Sequence, residues 1–176
     1  MNNPGIKNGL FLGLSLIVYT LLIYLISPAF FLAGWGFASI FISLLIYILF
    51  MVKTANEYRA MNNDYASFSE ILVPAFICAF IGGVISTIFT YILSTYIDTE
   101  LPQLLQDLQI SQIEDAAWIP EEAKEAAIES IEEQNAMEPS FKSSMMAVLM
   151  GSVAGLLIAL VIAAIKKNEH PNDLLT

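Results

Sequence analysis

Apolar residues fall into four long runs, from about Gly9 to Ile26, Phe30 to Val52, Ile71 to Tyr96 and Met145 to Ile165. None of the four contains an Asp, Glu, Lys, Arg or His. A helix needs about 20 mostly apolar residues to cross the bilayer core, so the runs predict four transmembrane helices. Ser27-Pro28 separates the first two, and the residue before a proline is pushed out of the helical region. A tight hairpin with almost no loop is expected there. Pro74 is expected in the first turn of the third span, where a missing N–H costs little.

A different pattern fills the gap between the third and fourth runs. Leu101, Leu104, Leu105 and Leu108 recur at the spacing of one helical face. A second helix is expected to begin at Pro120, with Glu121 and Glu122 in its first turn opposite the positive end of the helix dipole. Glu138-Pro139 is expected to end it. The predicted fold is therefore all-α. It is a single membrane domain over residues 1–176, a four-helix bundle with an extramembrane helical insert over residues 98–140.

Composition agrees with this pattern. Hydrophobic residues make up 57% of the chain and charged residues 14%, against about 45–50% and about 25% in ordinary globular proteins. The formal net charge of −10 argues against nucleic acid as a partner, since phosphate binding needs a basic patch. Basic residues are few and unevenly placed. Lys7 precedes the first span, Lys53 and Arg59 lie between the second and third, and Lys166 and Lys167 follow the fourth. Four crossings put all five on one side, and basic flanks stay in the cytoplasm. Both termini are then inside and the insert is outside. Lys7 ahead of an apolar run also fits a signal peptide, but Ser27-Pro28-Ala29 is a poor cleavage site and the next span follows at once. A retained first span is expected. Tyr96 and Trp118 suit the outer interface, and Tyr58 and Tyr65 the inner one.

Most of the acids stand in the insert, with Glu121, Glu125, Glu129 and Glu132 on one helix face. The plain expectation is a solvated cap whose leucine stripe packs on the outer ends of the spans. The sharper one is a docking surface for a basic or envelope partner. No calcium-loop pattern occurs, so no metal is expected.

Lipid gives no hydrophobic drive for helices to associate, so small residues that let backbones approach become the packing signal. The fourth span carries Ala147, Gly151, Gly155, Ala159 and Ala163 at intervals of four, and the third carries Gly82, Ser86, Thr90 and Ser94. Gly9 and Gly13 form a G-x-x-x-G pair in the first. Packing of the third span on the fourth is expected, with a homo-oligomer through the fourth as the alternative.

The chemistry of sites is sparse. An ionisable residue inside a span is by default a functional hint, and the runs have none. Cys78 is the only cysteine and His170 the only histidine, the latter in a polar tail. No nucleophile–base pairing, metal-ligand spacing or phosphate loop is present. No catalytic residue and no cofactor is expected.

The chain resembles the DUF4199 family of small membrane proteins, found largely in Bacteroidota. The resemblance rests on Thr54-Ala55-Asn56-Glu57-Tyr58-Arg59 leading to Tyr65-Ala66-Ser67-Phe68-Ser69-Glu70, on a long third span ending in Tyr96-Ile97-Asp98, and on a Gly- and Ala-rich fourth span closing in Lys166-Lys167. It implies a four-span inner-membrane protein with a periplasmic insert, and no activity. Ala66 and Ser69 stand where glycine and lysine are frequent in relatives. The expected function is a non-enzymatic accessory or structural subunit that binds a membrane or envelope partner. The alternative is a small oligomeric channel or lipid/solute transporter.

Overall fold

The computed structural model describes residues 3–27, 35–135 and 140–168. Among these, every regular element is a helix. The order is α1 (Pro4–Ile26), α2 (Trp35–Met61), α3 (Phe68–Ile92, continued by a π-type turn over Leu93–Ile97), α4 (Leu101–Glu114), α5 (Glu121–Asn135) and α6 (Phe141–Lys166). Four stretches, Pro4–Ile26, Ala38–Met61, Phe68–Ile97 and Phe141–Lys166, are long and apolar enough to cross a membrane. Their outer faces carry exposed Leu25, Phe41, Leu49, Val161 and Ile165. Exposed apolar surface on this scale, on helices of this length, fits a lipid surrounding. The hairpin expected at Ser27-Pro28, the helix stop at Glu138-Pro139 and the His170 tail fall outside the described residues.

Helix boundaries lie further out than the apolar runs suggest, because local capping decides them. Asn3 caps α1, its side chain accepting from the Gly5 N–H at 2.9 Å, with Pro4 in the first helical position. The second span continues through Lys53–Met61, where Lys53, Ala55, Glu57, Arg59, Ala60 and Met61 are good helix formers and no Gly or Pro intervenes, so Lys53 and Arg59 sit on α2 and not in a loop. It ends where Asn63 and Asp64 take φ of 54° and 71°, a left-handed conformation that these two residue types tolerate. Ser67 and Glu70 form a capping box that starts α3 at Phe68, with the Ser67 N–H donating to Glu70 Oε2 at 2.8 Å. Pro74 is therefore inside α3, and the expectation of a first-turn proline is corrected.

The third span is the central helix. It packs most extensively on α1, then on α6, and also against α2. The α1 contact is made backbone to backbone. A Cβ added at Gly5 would lie 2.6 Å from the Pro74 carbonyl oxygen, and one at Gly9 3.0 Å from the Cys78 carbonyl oxygen and 2.9 Å from Ile81 Cβ. At Gly82, a Cβ would meet Leu12 at 2.5 Å. Gly82 thus serves the seam with α1, and its expected pairing with the fourth span is corrected: Leu12 fills the space above it. Leu12, Leu16 and Cys78 form the buried cluster of this seam. A second cluster, including Met51, Ala55, Ile71, Ala75, Ala79, Ala159, Ile162 and Ala163, joins α2, α3 and α6 toward the end that holds the chain's basic flanks.

In the insert, α4 and α5 pack on one another as a helical hairpin. Of the leucine stripe only Leu101 is buried, and Leu104 is 43% exposed. Leu105 and Leu108 are half-buried. Lys124 fastens the hairpin by donating to the Glu114 carbonyl at 2.9 Å and to Glu121 at 3.0 Å.

These contacts separate glycines that must stay small from one that need not. Gly9→Ala and Gly155→Leu are expected to destabilise the bundle by about 1–3 kcal/mol through overpacking. Gly151, with nothing within 4 Å of an added Cβ, is expected to accept Leu with an unchanged melting temperature. Thermal unfolding of the three variants in detergent checks this. Equal losses at Gly9 and Gly151 would contradict it.

Candidate functional site

Two places in the structure combine polar side chains with unusual packing. The first is the end of the bundle where Lys7, Lys53, Arg59, Lys166 and Lys167 are gathered. Glu57 on α2 accepts from Asn8 Nδ2 at 3.0 Å and from Lys7 Nζ at 3.4 Å, and Lys53 lies 4.0 Å away one turn earlier. Asn8 is fully buried on α1, so the Glu57 carboxylate is a cross-helix anchor as well as a surface charge. Arg59 pairs with Asp64 at 3.3 Å. The loop after α2 is stitched to the end of α6 by a reciprocal backbone pair, Ala66 with Asn168, at 2.9 Å in each direction. Asn168 Nδ2 adds a bond to the Asp64 carbonyl at 2.9 Å. These bonds hold the end of α6 against the start of α3.

The second place is the opposite half of the seam between α3 and α6. Near the stitched end the two helices touch. Gly155 is buried with an added Cβ at 3.3 Å from Ala79 Cβ, and Ala159 and Ala163 are fully buried. One turn further out the contact is lost, since Gly151 has open space around it. The small-residue stripe of the fourth span is therefore used in its inner half only. Its outer half, with Ala147 and Gly151, forms one wall of a groove.

The groove has two connected parts that share Thr87 and Ala147. The deeper part is a cavity of about 180 Å³ between α2, α3 and α6, lined by Tyr47, Ala79, Phe80, Val84 and Val148 among others. Gly83 makes room for Tyr47, whose hydroxyl would be 3.2 Å from a Cβ there. The shallower part, of about 310 Å³, is lined by Ser86, Thr87, Thr90, Tyr91, Ser94, Ser143, Ser144 and Ala147. Ser86, expected as a packing residue, is one of these lining hydroxyls. Thr90 and Ser94 donate to the carbonyls four residues back, at 3.1 and 3.0 Å, and Ser152 does the same at 2.6 Å. Their protons are used within the helix, and their lone pairs remain as acceptors in the groove.

Asp98 sets the outer limit of this region, and sequence reasoning passed over its role. Its Oδ2 accepts from the Tyr24 hydroxyl at 2.9 Å, and its Oδ1 accepts from the backbone N–H groups of Leu101 and Glu100 at 3.0 and 3.2 Å. One carboxylate thus ties the end of α1 to the end of α3 and caps α4. Asp two or three residues ahead of a helix start was the available signal. On α5, Glu125, Glu129 and Glu132 are exposed, while Glu121 pairs with Lys124 at 3.0 Å.

A family model described as "Protein of unknown function (DUF4199)" matches residues 7–168. The chain belongs to the DUF4199 family. No curated protein and no solved structure matches it. Both polar places of this DUF4199 protein, the anchor at Glu57 and the groove between α3 and α6, lie within the matched residues.

The two ion contacts of Glu57 and its bond to Asn8 differ in energy because burial differs. Replacing Lys53, which is exposed, by Ala is expected to cost under about 1 kcal/mol. Glu57→Ala leaves the buried Asn8 amide without its acceptor and is expected to cost about 1–3 kcal/mol. Chemical unfolding of both variants in micelles checks the order; equal effects would contradict it.

Proposed function

We propose that this DUF4199 protein is a non-enzymatic membrane subunit that binds another membrane component through the groove between the outer halves of α3 and α6. The observation that carries this reading is the change along one seam. The same small-residue stripe is packed shut at Gly155, Ala159 and Ala163 and left open at Gly151 and Ala147. Packing that served only stability would close along its length, because an open small-residue face forfeits dispersion contacts.

The protein sits in the bacterial inner membrane with both termini in the cytoplasm and the insert in the periplasm. The grouping of Lys7, Lys53, Arg59, Lys166 and Lys167 at one end supports this orientation through the positive-inside rule. The insert then stands on the side toward which the groove opens, and exposed Glu125, Glu129 and Glu132 give that side an acidic character. A small oligomeric channel or lipid/solute transporter needs a polar path through the whole bilayer. Within one chain the lining hydroxyls end at Tyr47, and the apolar cluster of Met51, Ala75, Ala79 and Ala159 fills the inner half among the described residues.

Photo-crosslinking in native membranes tests the reading. A photoreactive residue at Val148, which lines the groove, is expected to give a discrete adduct that the same probe at Leu157, an exposed position off the groove, does not give. Identical labelling at both positions, together with solute flux in liposomes, would overturn it in favour of the transport reading.

A further inference from the structure

The groove also constrains what it holds, and this step rests on the reading of the groove as a binding site. Along α6 it runs from Ser152 to Ser143, a rise of about 13 Å at about 1.5 Å per residue. Half of a hydrocarbon core of about 30 Å is about 15 Å, so the groove is one leaflet deep. A transmembrane helix is longer than this by a factor of about two and would seat over only half its length. A lipid of the leaflet on the insert side fits the whole groove.

Polarity is graded in the same direction. The deep end presents Ala79, Phe80, Val84 and Val148 beside the hydroxyls of Tyr47, Thr87 and Ser152, whereas at the shallow end every lining residue except Ala147 bears a hydroxyl. No charged side chain lines either part. An apolar chain below and an uncharged or zwitterionic head above match this gradient. Thr90 and Ser94 have committed their protons to backbone carbonyls, so they meet the head as acceptors. The preferred head is one that donates hydrogen bonds.

We infer that the groove between α3 and α6 binds a single lipid of the leaflet on the insert side, its hydrogen-bond-donating head at Thr90 and Ser94 and its chain directed toward Tyr47. Phosphatidylethanolamine, whose ammonium donates, is the probe for this chemistry. Phosphatidylcholine, whose trimethylammonium has no N–H, is its control.

Native mass spectrometry of the full-length protein released from vesicles containing equal amounts of the two lipids provides the test. Wild type is expected to retain phosphatidylethanolamine over phosphatidylcholine. Gly151→Leu, which places its side chain in open space within the groove, is expected to lower that retention roughly ten-fold. Leu157→Phe, off the groove, leaves it unchanged. The double variant Thr90→Val with Ser94→Val is expected to keep a bound lipid and lose the preference between heads. Circular dichroism and monodisperse elution establish that each variant is folded, and Ala147→Leu replaces Gly151→Leu if the latter is not. Equal retention of both lipids by wild type and Gly151→Leu overturns the lipid assignment. So does a wild-type dimer that Gly151→Leu converts to monomer, or a co-purifying protein that it releases. Those last two results leave the groove standing as a binding site, whereas insensitivity of lipid, oligomer and crosslinked partner alike overturns both readings.

Discussion

The close approach of α1 and α3 is the contact on which the other helices depend. Lipid supplies no solvent that drives apolar helices together, so the bundle is held by dispersion between backbones that come near enough to touch. Gly5, Gly9 and Gly82 permit that approach, and nothing larger fits against the Pro74 and Cys78 carbonyls or Leu12. With α3 fixed against α1, its other faces are available to α2 and α6. The polar groups then act as stitches at the two ends. Glu57 with Asn8 and Lys7 joins α1 to α2, Ala66 with Asn168 joins the start of α3 to the end of α6, and Asp98 with Tyr24 joins α1 to α3 at the insert end.

The asymmetry of these stitches accounts for the groove. At the basic end α6 is tied by three hydrogen bonds to the loop before α3 and by the close contact of Gly155 with Ala79. Toward the insert end no comparable tie between α3 and α6 occurs among the described residues, and α6 is led in by the insert, whose two helices pack on each other. The seam is therefore closed at one end and open at the other. The hydroxyls that line the open part are bonded to their own helix, so the groove is stable without a partner yet keeps acceptors directed toward whatever fills it.

Much of the fold was legible in the chain. Apolar runs and the bias of Lys7, Lys53, Arg59, Lys166 and Lys167 define four spans with their basic ends together, and the resemblance to DUF4199 is to the family the chain belongs to. Boundaries were less legible, because they follow capping. Asn3-Pro4 and Ser67 with Glu70 start α1 and α3 well before the apolar runs begin, and this is why Pro74 is internal. The small-residue stripes were visible as stripes, but spacing alone does not say which helix each one meets. Gly82 belongs to α1, and Gly151 to no helix. The groove was not legible at all, since it arises where α3 and α6 part between Gly155 and Gly151, and no local pattern encodes how two helices diverge.

One helix seam is shut toward the basic end of the bundle, at Gly155, Ala159 and Ala163, and open toward the insert, at Gly151. Paired cysteines introduced in a Cys78→Ser background test it directly, because a disulfide forms only when Cβ atoms lie about 3.5–4.5 Å apart. Rapid oxidative crosslinking of Ala79→Cys with Gly155→Cys is expected, and none of Gly83→Cys with Gly151→Cys. Equal crosslinking of the two pairs would contradict it.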